Sequence, residues 1–234
     1  YFLKAFKITN ENIILTTPFV LFLLLLTTYT LFAQNAPVNL ASSILLLFTI
    51  LFMISAFSAG WFYMVKKAIE LDKKEFIIDQ DKAKASFALL KEIPVGIGEY
   101  FFSFIGAFIL CMGFVFVILL VTYKLGMYFI GNVGISISDF NEAFNSSSAM
   151  KSLVSSLSRE QLIKLNSWNI LFLVVTSVYS FFIMFWPVQI VSKTKNPFIA
   201  LKKSVRAIFK NPLSSIILFL YVSFIYFTIS FAVN

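Results

Sequence analysis

Few side chains in this sequence are of the types that perform chemistry. Histidine is absent and Cys111 is the only cysteine among the 234 residues. The commonest metal ligand and the usual general base at neutral pH are therefore missing. A single cysteine in an apolar run forms no internal disulfide and is typical of a small packed residue. We expect no catalytic, cofactor or metal site, and we predict that the chain is not an enzyme.

The acidic residues of one polar segment could form a site only together with a nucleophile or with further metal ligands. Asp139, Glu142 and Glu160 lie in a Ser- and Asn-rich stretch without a nucleophile or a metal-ligand set beside them. Solvated loop charges are the favoured interpretation. Asn145-Ser146-Ser147 matches a glycosylation sequon, which matters only in a eukaryotic secretory context.

The composition indicates that lipid is the solvent of this chain. Hydrophobic residues make up 59% of it and charged residues only 13%, with a mean hydropathy of +0.90. A soluble domain carries about 25% charged residues. The net charge of +8 comes from basic residues that flank apolar stretches, which favours the membrane surface as partner and no nucleic acid.

The apolar stretches predict an all-α, polytopic transmembrane helix bundle. No charge occurs between Glu11 and Lys66, and a span needs about 20 residues, so two helices separated by a turn at 34–39 are expected. We treat residues 1–234 as a single transmembrane domain. The predicted spans are about 13–33, 40–65, 98–123, 168–192 and 213–233. A cleaved signal peptide is the less favoured interpretation of the first, because its apolar run is too long.

Lysine and arginine placement predicts the orientation. Fifteen of the 19 basic residues fall in the segments 1–12, 66–97 and 193–212, which lie on one side if the five spans hold. The other four include those of the outer loop, 131–167. Because positive charge stays inside, we predict that the N-terminus is cytoplasmic.

Ionisable residues within the predicted spans are scarce. Glu99 and Lys124 are 25 residues apart, or about 38 Å along a helix, whereas the hydrocarbon core is about 30 Å thick. Both can therefore reach an interface, which disfavours a proton-coupled transporter. Pro187 is expected to kink the fourth helix near its inner end.

A similar short segment precedes the first, third and fifth spans. Residues 3–7, 87–91 and 206–210 each end in lysine, after a bulky apolar residue, and a polar or proline-containing break follows. The simplest interpretation is a three-fold repeat of an interfacial helix plus a transmembrane hairpin. That repeat predicts a sixth span after Asn234.

The last of these segments predicts the clearest amphipathic helix. Asn196 can cap it, Pro197 suits its first turn, and Asn211-Pro212 ends it. Its predicted apolar face is Phe198, Leu201, Val205 and Ile208. The candidate lipid- or partner-binding residues on the other face are Lys202, Lys203, Arg206 and Lys210. A plain topological connector is the favoured interpretation, and a docking helix for anionic headgroups or a protein partner is the sharper one. The segment 66–92 mixes seven lysines with six acids, which suits water or a protein partner.

The segments at 200–212, and more weakly those at 3–12 and 86–94, resemble YciC-type bacterial inner-membrane proteins. They also resemble the membrane domain of some glycerophosphodiester phosphodiesterases. The resemblance implies a six-helix domain in the bacterial inner membrane and transfers no catalytic residue. We expect a non-catalytic membrane subunit or scaffold that binds anionic lipid headgroups and other membrane or cytoplasmic subunits. The alternative is a permease or lipid-handling transporter for an apolar or amphipathic substrate.

Overall fold

The computed structural model of the chain describes residues 8–10, 12–35, 39–72, 79–136, 138 and 147–233. Within these ranges the chain is helical, with no β-strand. The helices are α1 (Thr17–Gln34), α2 (Leu40–Leu71), α3 (Asp79–Ala88), α4 (Glu92–Phe129), α5 (Ser147–Ser156), α6 (Arg159–Ile183), α7 (Trp186–Ser192), α8 (Pro197–Lys210) and α9 (Pro212–Val233). Several sequence predictions fall outside the described residues: those on Lys4, Lys7, Ala36, Pro37, Val38, Asp139, Glu142 and Asn145-Ser146.

Several helical stretches are long and apolar enough to cross a membrane. By length and composition, four of the described stretches qualify, namely Ile13–Gln34, Leu40–Leu71, Ala83–Phe129 and Arg159–Ser192. A fifth is added if the bent pair α8–α9 is one span. These helices expose large apolar side chains such as Phe102 (81%) and Phe224 (67%), a surface that suits lipid and not water. The predicted all-α class is confirmed, and the helices are those of a membrane-embedded protein.

The described residues divide into two compact units. The first contains the residues up to Cys111 together with those from Ile183 onward, and the second is Met112–Phe182. Helix α4 therefore begins in the first unit and ends in the second. The candidate binding residues all belong to the first unit.

In the first unit, α1 and α2 form a hairpin. The amide N–H of Ser42 donates to the Asn39 side chain (2.8 Å), while the Asn39 N–H donates to the Ser42 hydroxyl (3.3 Å). This reciprocal cap satisfies two amides that have no partner within the helix. Farther from the turn of the hairpin, the rings of Phe22 and Phe57 stack with their centroids 4.2 Å apart.

Helices α2 and α4 cross closely at two glycines. A Cβ at Gly96 would lie 2.6 Å from the Tyr63 Cβ and 2.8 Å from the Ala59 carbonyl oxygen. A Cβ at Gly60 would lie 2.7 Å from the Ile93 side chain. Small residues let helix backbones approach in this way.

Two buried clusters hold the first unit together. One unites side chains from α2, α4, α7 and α8, including Tyr63, Phe104, Ile190 and Ala200. The other joins the chain before α1 to the end of α2 and to the 3₁₀ turn Leu89–Lys91, through Ile8, Leu15, Met64, Ala68 and Leu89. The site described below therefore lies on packed helices.

Two helix junctions of the first unit differ. Helix α3, the 3₁₀ turn and α4 run on as one helical stretch, so that Ala83–Phe129 counts as 47 continuous residues. Helices α8 and α9 are bent by 105° at Asn211. The sequence predicts a kink at Pro187, and the structure has a short break just before it, because α6 ends at Ile183 and α7 begins at Trp186 with the proline in its first turn.

In the second unit, the end of α4 packs on α6. A Cβ at Gly126 would lie 2.2 Å from the Trp168 ring, and the Trp168 indole N–H donates to the Gly131 carbonyl at 3.1 Å. Helix α6 begins at Arg159, inside the predicted outer loop, and continues to Ile183. Helix α5 also lies within the predicted outer loop.

Candidate lipid- and partner-binding site

Local chemistry determines both ends of α8. The Asn196 side chain accepts from the amides of Phe198 (3.0 Å) and Ile199 (3.2 Å), and Pro197, which has no N–H to satisfy, occupies the first helical position. Asn211 leaves helical geometry, with φ −137° and ψ 65°, directly before Pro212. A residue that precedes proline is disfavoured in helical conformation. The cap and the end predicted for this helix are both confirmed.

One narrow strip of α8 packs against protein. Ala200 and Ser204 have no exposed surface and Ile208 has 2%. At about 100° per residue these three share an arc of about 80°. The indole N–H of Trp186 donates to the Pro197 carbonyl at 2.8 Å, which ties the start of α8 to α7.

The remaining surface of α8 divides into an apolar and a basic sector. Phe198 (61% exposed) and Phe209 (69% exposed) lie beside the half-buried Leu201 and Val205. The predicted apolar face is therefore split, because Ile208 is buried against protein while Phe198 is exposed. A helix at a lipid interface needs an apolar face toward the acyl chains and a basic face toward the headgroups. Helix α8 has both of these faces in addition to its buried strip.

The basic sector contains the four candidate residues. Lys202, Arg206 and Lys210 are exposed and Lys203 is half-buried. The Lys203 ammonium donates to the Lys193 carbonyl at 3.4 Å. Within the described parts of the chain none of the four forms an ion pair, and the segment 193–210 contains no acidic residue. Their charge is therefore available to an anionic partner. Ile199, 45% exposed, is an apolar residue in the same sector.

A polar network surrounds the end of α7, next to α8 in sequence. The Val191 carbonyl, near that helix end, accepts from the Lys66 ammonium (3.1 Å) and from the Tyr100 hydroxyl (3.2 Å). Carbonyls at a helix end lack intrahelical donors and attract cations. Lys195 pairs with Glu99 at 3.1 Å and lies 5.5 Å from the Tyr100 ring centroid.

Sequence reasoning placed Glu99 at the inner end of the third span but missed its partner Lys195. The two residues are 96 positions apart, and neither a local pattern nor a charge count connects them. Only the packing of α4 against α7 brings them together. The one available signal was that both belong to the predicted cytoplasmic side.

The other basic segments are partly described. In the segment 66–92, Lys67 pairs with Glu70 at 3.1 Å, and Lys84 and Lys91 border an open surface beside Phe87. The Ser86 hydroxyl donates to the Asn12 side chain at 2.8 Å, which attaches α3 to the chain before α1. This mixed-charge segment is thus bound to protein at several points, since Ala68 and Leu89 also belong to the second buried cluster.

No catalytic or metal-binding arrangement is visible in the residues that the structure describes. No group of three or more His, Cys, Asp or Glu side chains there could hold a metal ion. Cys111 is half-buried, and Glu160 forms an ion pair with Lys164 at 2.7 Å. What the first unit can offer a ligand is apolar surface and positive charge.

No family model, no curated protein and no solved structure matches this chain significantly.

Proposed function

We propose that this chain is a non-catalytic subunit or scaffold of the bacterial inner membrane. It binds anionic lipid headgroups and protein partners through its basic cytoplasmic helices. The observation that carries the proposal is the surface of α8, where a fully buried strip, Ala200 and Ser204, lies opposite exposed cations. A helix held by protein on one side presents its charges in a defined position.

Charge placement supports the orientation in this proposal. Six basic residues lie between Lys193 and Lys210 without an acid, and the positive-inside rule assigns such a segment to the cytoplasm. The N-terminus is then cytoplasmic, and the five spans are those predicted from the sequence. Each cation near an anionic leaflet contributes about 1 kcal/mol, so the four of α8 together amount to about 4 kcal/mol.

The three-fold repeat remains part of the proposal in a modified form. The third copy has a separate interfacial helix that bends by 105° into the next one, whereas the second copy continues into α4 as one helical stretch. The first copy, 3–7, lies outside the described residues. The second and third copies share a sequence pattern and a position before a predicted span, but the helix junctions that follow them differ.

Replacement of the α8 cations tests the proposal. The variant Lys202→Gln, Lys203→Gln, Arg206→Gln, Lys210→Gln removes four charges. A matched control replaces Lys124, Lys151, Arg159 and Lys164, which are also three lysines and one arginine, on the predicted outer side. Both full-length variants would be gently solubilised from bacterial membranes and examined by native mass spectrometry. We expect the α8 variant alone to lose bound anionic lipid and any stoichiometric protein partner.

Two outcomes would contradict the proposal. A wild-type protein found only as a monomer without a partner would remove the subunit role. Equal lipid and partner retention in the α8 variant and its control would reduce α8 to a topological connector.

A lateral groove favours the permease alternative. Helices α2 and α4 form an open apolar groove of about 490 Å³ lined by Phe52, Met53, Ala56, Ile97, Gly98, Phe101 and Phe102. An acyl chain or another apolar substrate fits such a surface. Transport of a fluorescent lipid can be measured in reconstituted vesicles. The variant Gly98→Leu places a side chain in the groove and should reduce this transport. Such a reduction would support a permease over a scaffold.

A further inference from the structure

A second groove lies between α2 and α7 and differs from the first in having a cation. It has a volume of about 350 Å³ and is mainly apolar, with Trp61, Val65 and Val188 among its lining residues. Lys66 and Glu70 also line it. Ligand pockets for small amphipathic molecules begin at about this size. We call this pocket the Lys66 groove.

Lys66 forms no direct ion pair within the described structure, and the Glu99 carboxylate, which pairs with Lys195, acts on it only at longer range. Its ammonium donates to the Val191 carbonyl at 3.1 Å and lies 5.7 Å from the Tyr63 ring centroid, and both of these partners are neutral. The neighbouring lysines differ, because Lys67 pairs with Glu70 and Lys195 with Glu99. The Glu70 carboxylate of the groove thus already pairs with Lys67, whereas the close partners of the Lys66 ammonium are a neutral carbonyl and a neutral ring.

The position of the groove along α2 matches the level of lipid headgroups. Lys66 directly follows the predicted second span, 40–65, and Trp61 lies just inside its end. Indole rings and lysine ammonium groups favour this interfacial level. An amphipathic ligand here would have its apolar part beside Trp61 and its polar part at Lys66.

We propose that the Lys66 groove binds one anionic phospholipid of the cytoplasmic leaflet. An acyl chain lies along Trp61, Val65 and Val188, and the phosphate pairs with the Lys66 ammonium. The inference deepens the proposed function and rests on its orientation, but it concerns a site separate from the α8 cations. A zwitterionic lipid is disfavoured because its own ammonium group offsets the negative charge of the phosphate that Lys66 would attract.

Brominated lipids test the proposal, because bromine on an acyl chain quenches nearby tryptophan. The full chain would be reconstituted in phosphatidylcholine vesicles that contain acyl-brominated phosphatidylglycerol or acyl-brominated phosphatidylethanolamine at equal mole fraction. The Trp61 signal is the difference between the wild type and Trp61→Phe. We expect phosphatidylglycerol to quench it with about five-fold higher apparent affinity, the effect of one cation near the membrane surface. Equal quenching, or stronger quenching by phosphatidylethanolamine, would overturn the proposal.

Variants identify the group responsible. Lys66→Gln should abolish the preference and Lys66→Arg should retain it, while Lys91→Gln, which removes a charge just before the next predicted span, should leave it unchanged. If Lys66→Gln does not fold, Val188→Phe serves instead, because it fills the groove and should reduce quenching by both lipids. A preference that survives both Lys66→Gln and Val188→Phe would refute the site.

The result is separable from the test of the proposed function. Lost anionic-lipid retention in the α8 variant together with an unselective Trp61 signal would leave the scaffold role intact and remove only this site. A Trp61 signal that prefers phosphatidylglycerol, together with an α8 variant that keeps its lipid and partner, would support this site and contradict the role proposed for α8. A partner helix that occupies the groove would shield Trp61 from both brominated lipids, and this outcome would also reject the lipid.

Discussion

The α3–α4 and α8–α9 junctions begin from similar sequences and reach different geometries. Each has a segment that ends in lysine after a bulky apolar residue, then a proline within three residues, then an apolar helix. At Lys91 the chain continues as a single helical stretch, whereas at Lys210 it bends by 105°. A proline near a membrane boundary therefore does not by itself predict a bend.

Backbone hydrogen bonding explains the difference. Before Pro94 the chain forms the 3₁₀ turn Leu89–Lys91, and the Glu92 N–H is shared between the Leu89 and Leu90 carbonyls. Pro94 is then the third residue of α4, where a missing N–H is tolerated. Pro212 is the first residue of α9 and follows Asn211, which is not helical. The conformation of the residue before the proline decides between continuation and bend.

Distances between spin labels would test this contrast most directly. Labels at Ala83 and Ile109, and labels at Phe198 and Phe224, are each 26 residues apart on exposed positions. A continuous helix separates the first pair by about 39 Å, whereas a 105° bend at the centre shortens the second to about 24 Å. Double electron–electron resonance in a Cys111→Ser background measures both. Similar distances for the two label pairs would show that the two junctions do not differ in geometry.

The second prediction concerns what locks the α3–α4 junction in place. Gly96→Leu forces a side chain against the Tyr63 Cβ and the Ala59 carbonyl, which are backbone-linked atoms that cannot yield. We expect a loss of about 3 kcal/mol in the free energy of unfolding. Reversible unfolding in SDS, followed by tryptophan fluorescence, measures this change. Gly98→Leu is the matched control, since a Cβ there meets nothing within 4 Å. A comparable loss in the control would indicate that α2 and α4 do not cross at Gly96.

Sequence reasoning succeeded where the signal is local and failed where it is tertiary. The long uncharged stretch before Lys66 predicted apolar helices, and Asn196 with Pro197 predicted the start of α8, because hydropathy and capping depend on adjacent residues. The buried strip of α8 was missed because Ala200 and Ser204 are small and carry almost no hydropathy signal. The 3₁₀ turn before Pro94 was missed because it depends on how Leu89 packs against Met64 and Ala68 of α2.

The third prediction tests whether α8 rests on protein as well as on lipid. Ala200→Leu adds three carbons at a site with no exposed surface and should cost about 2 kcal/mol of unfolding free energy. Ile199→Phe adds bulk at a 45% exposed position and should be nearly neutral. The same SDS titration compares them. A neutral Ala200→Leu would mean that α8 contacts lipid alone, like a free interfacial helix.

The smallest predicted effect is that of Pro94→Ala. A proline in the interior of a helix costs about 3 kcal/mol, because it loses a hydrogen bond and clashes with the preceding turn. If the 3₁₀ turn makes Pro94 a first-turn residue, alanine should change the unfolding free energy by less than about 0.5 kcal/mol. A stabilisation near 3 kcal/mol would instead reveal a strained proline in the interior of a regular α-helix that lacks the 3₁₀ turn. The continuous junction would then be maintained by packing at Gly96 against the local preference of the chain.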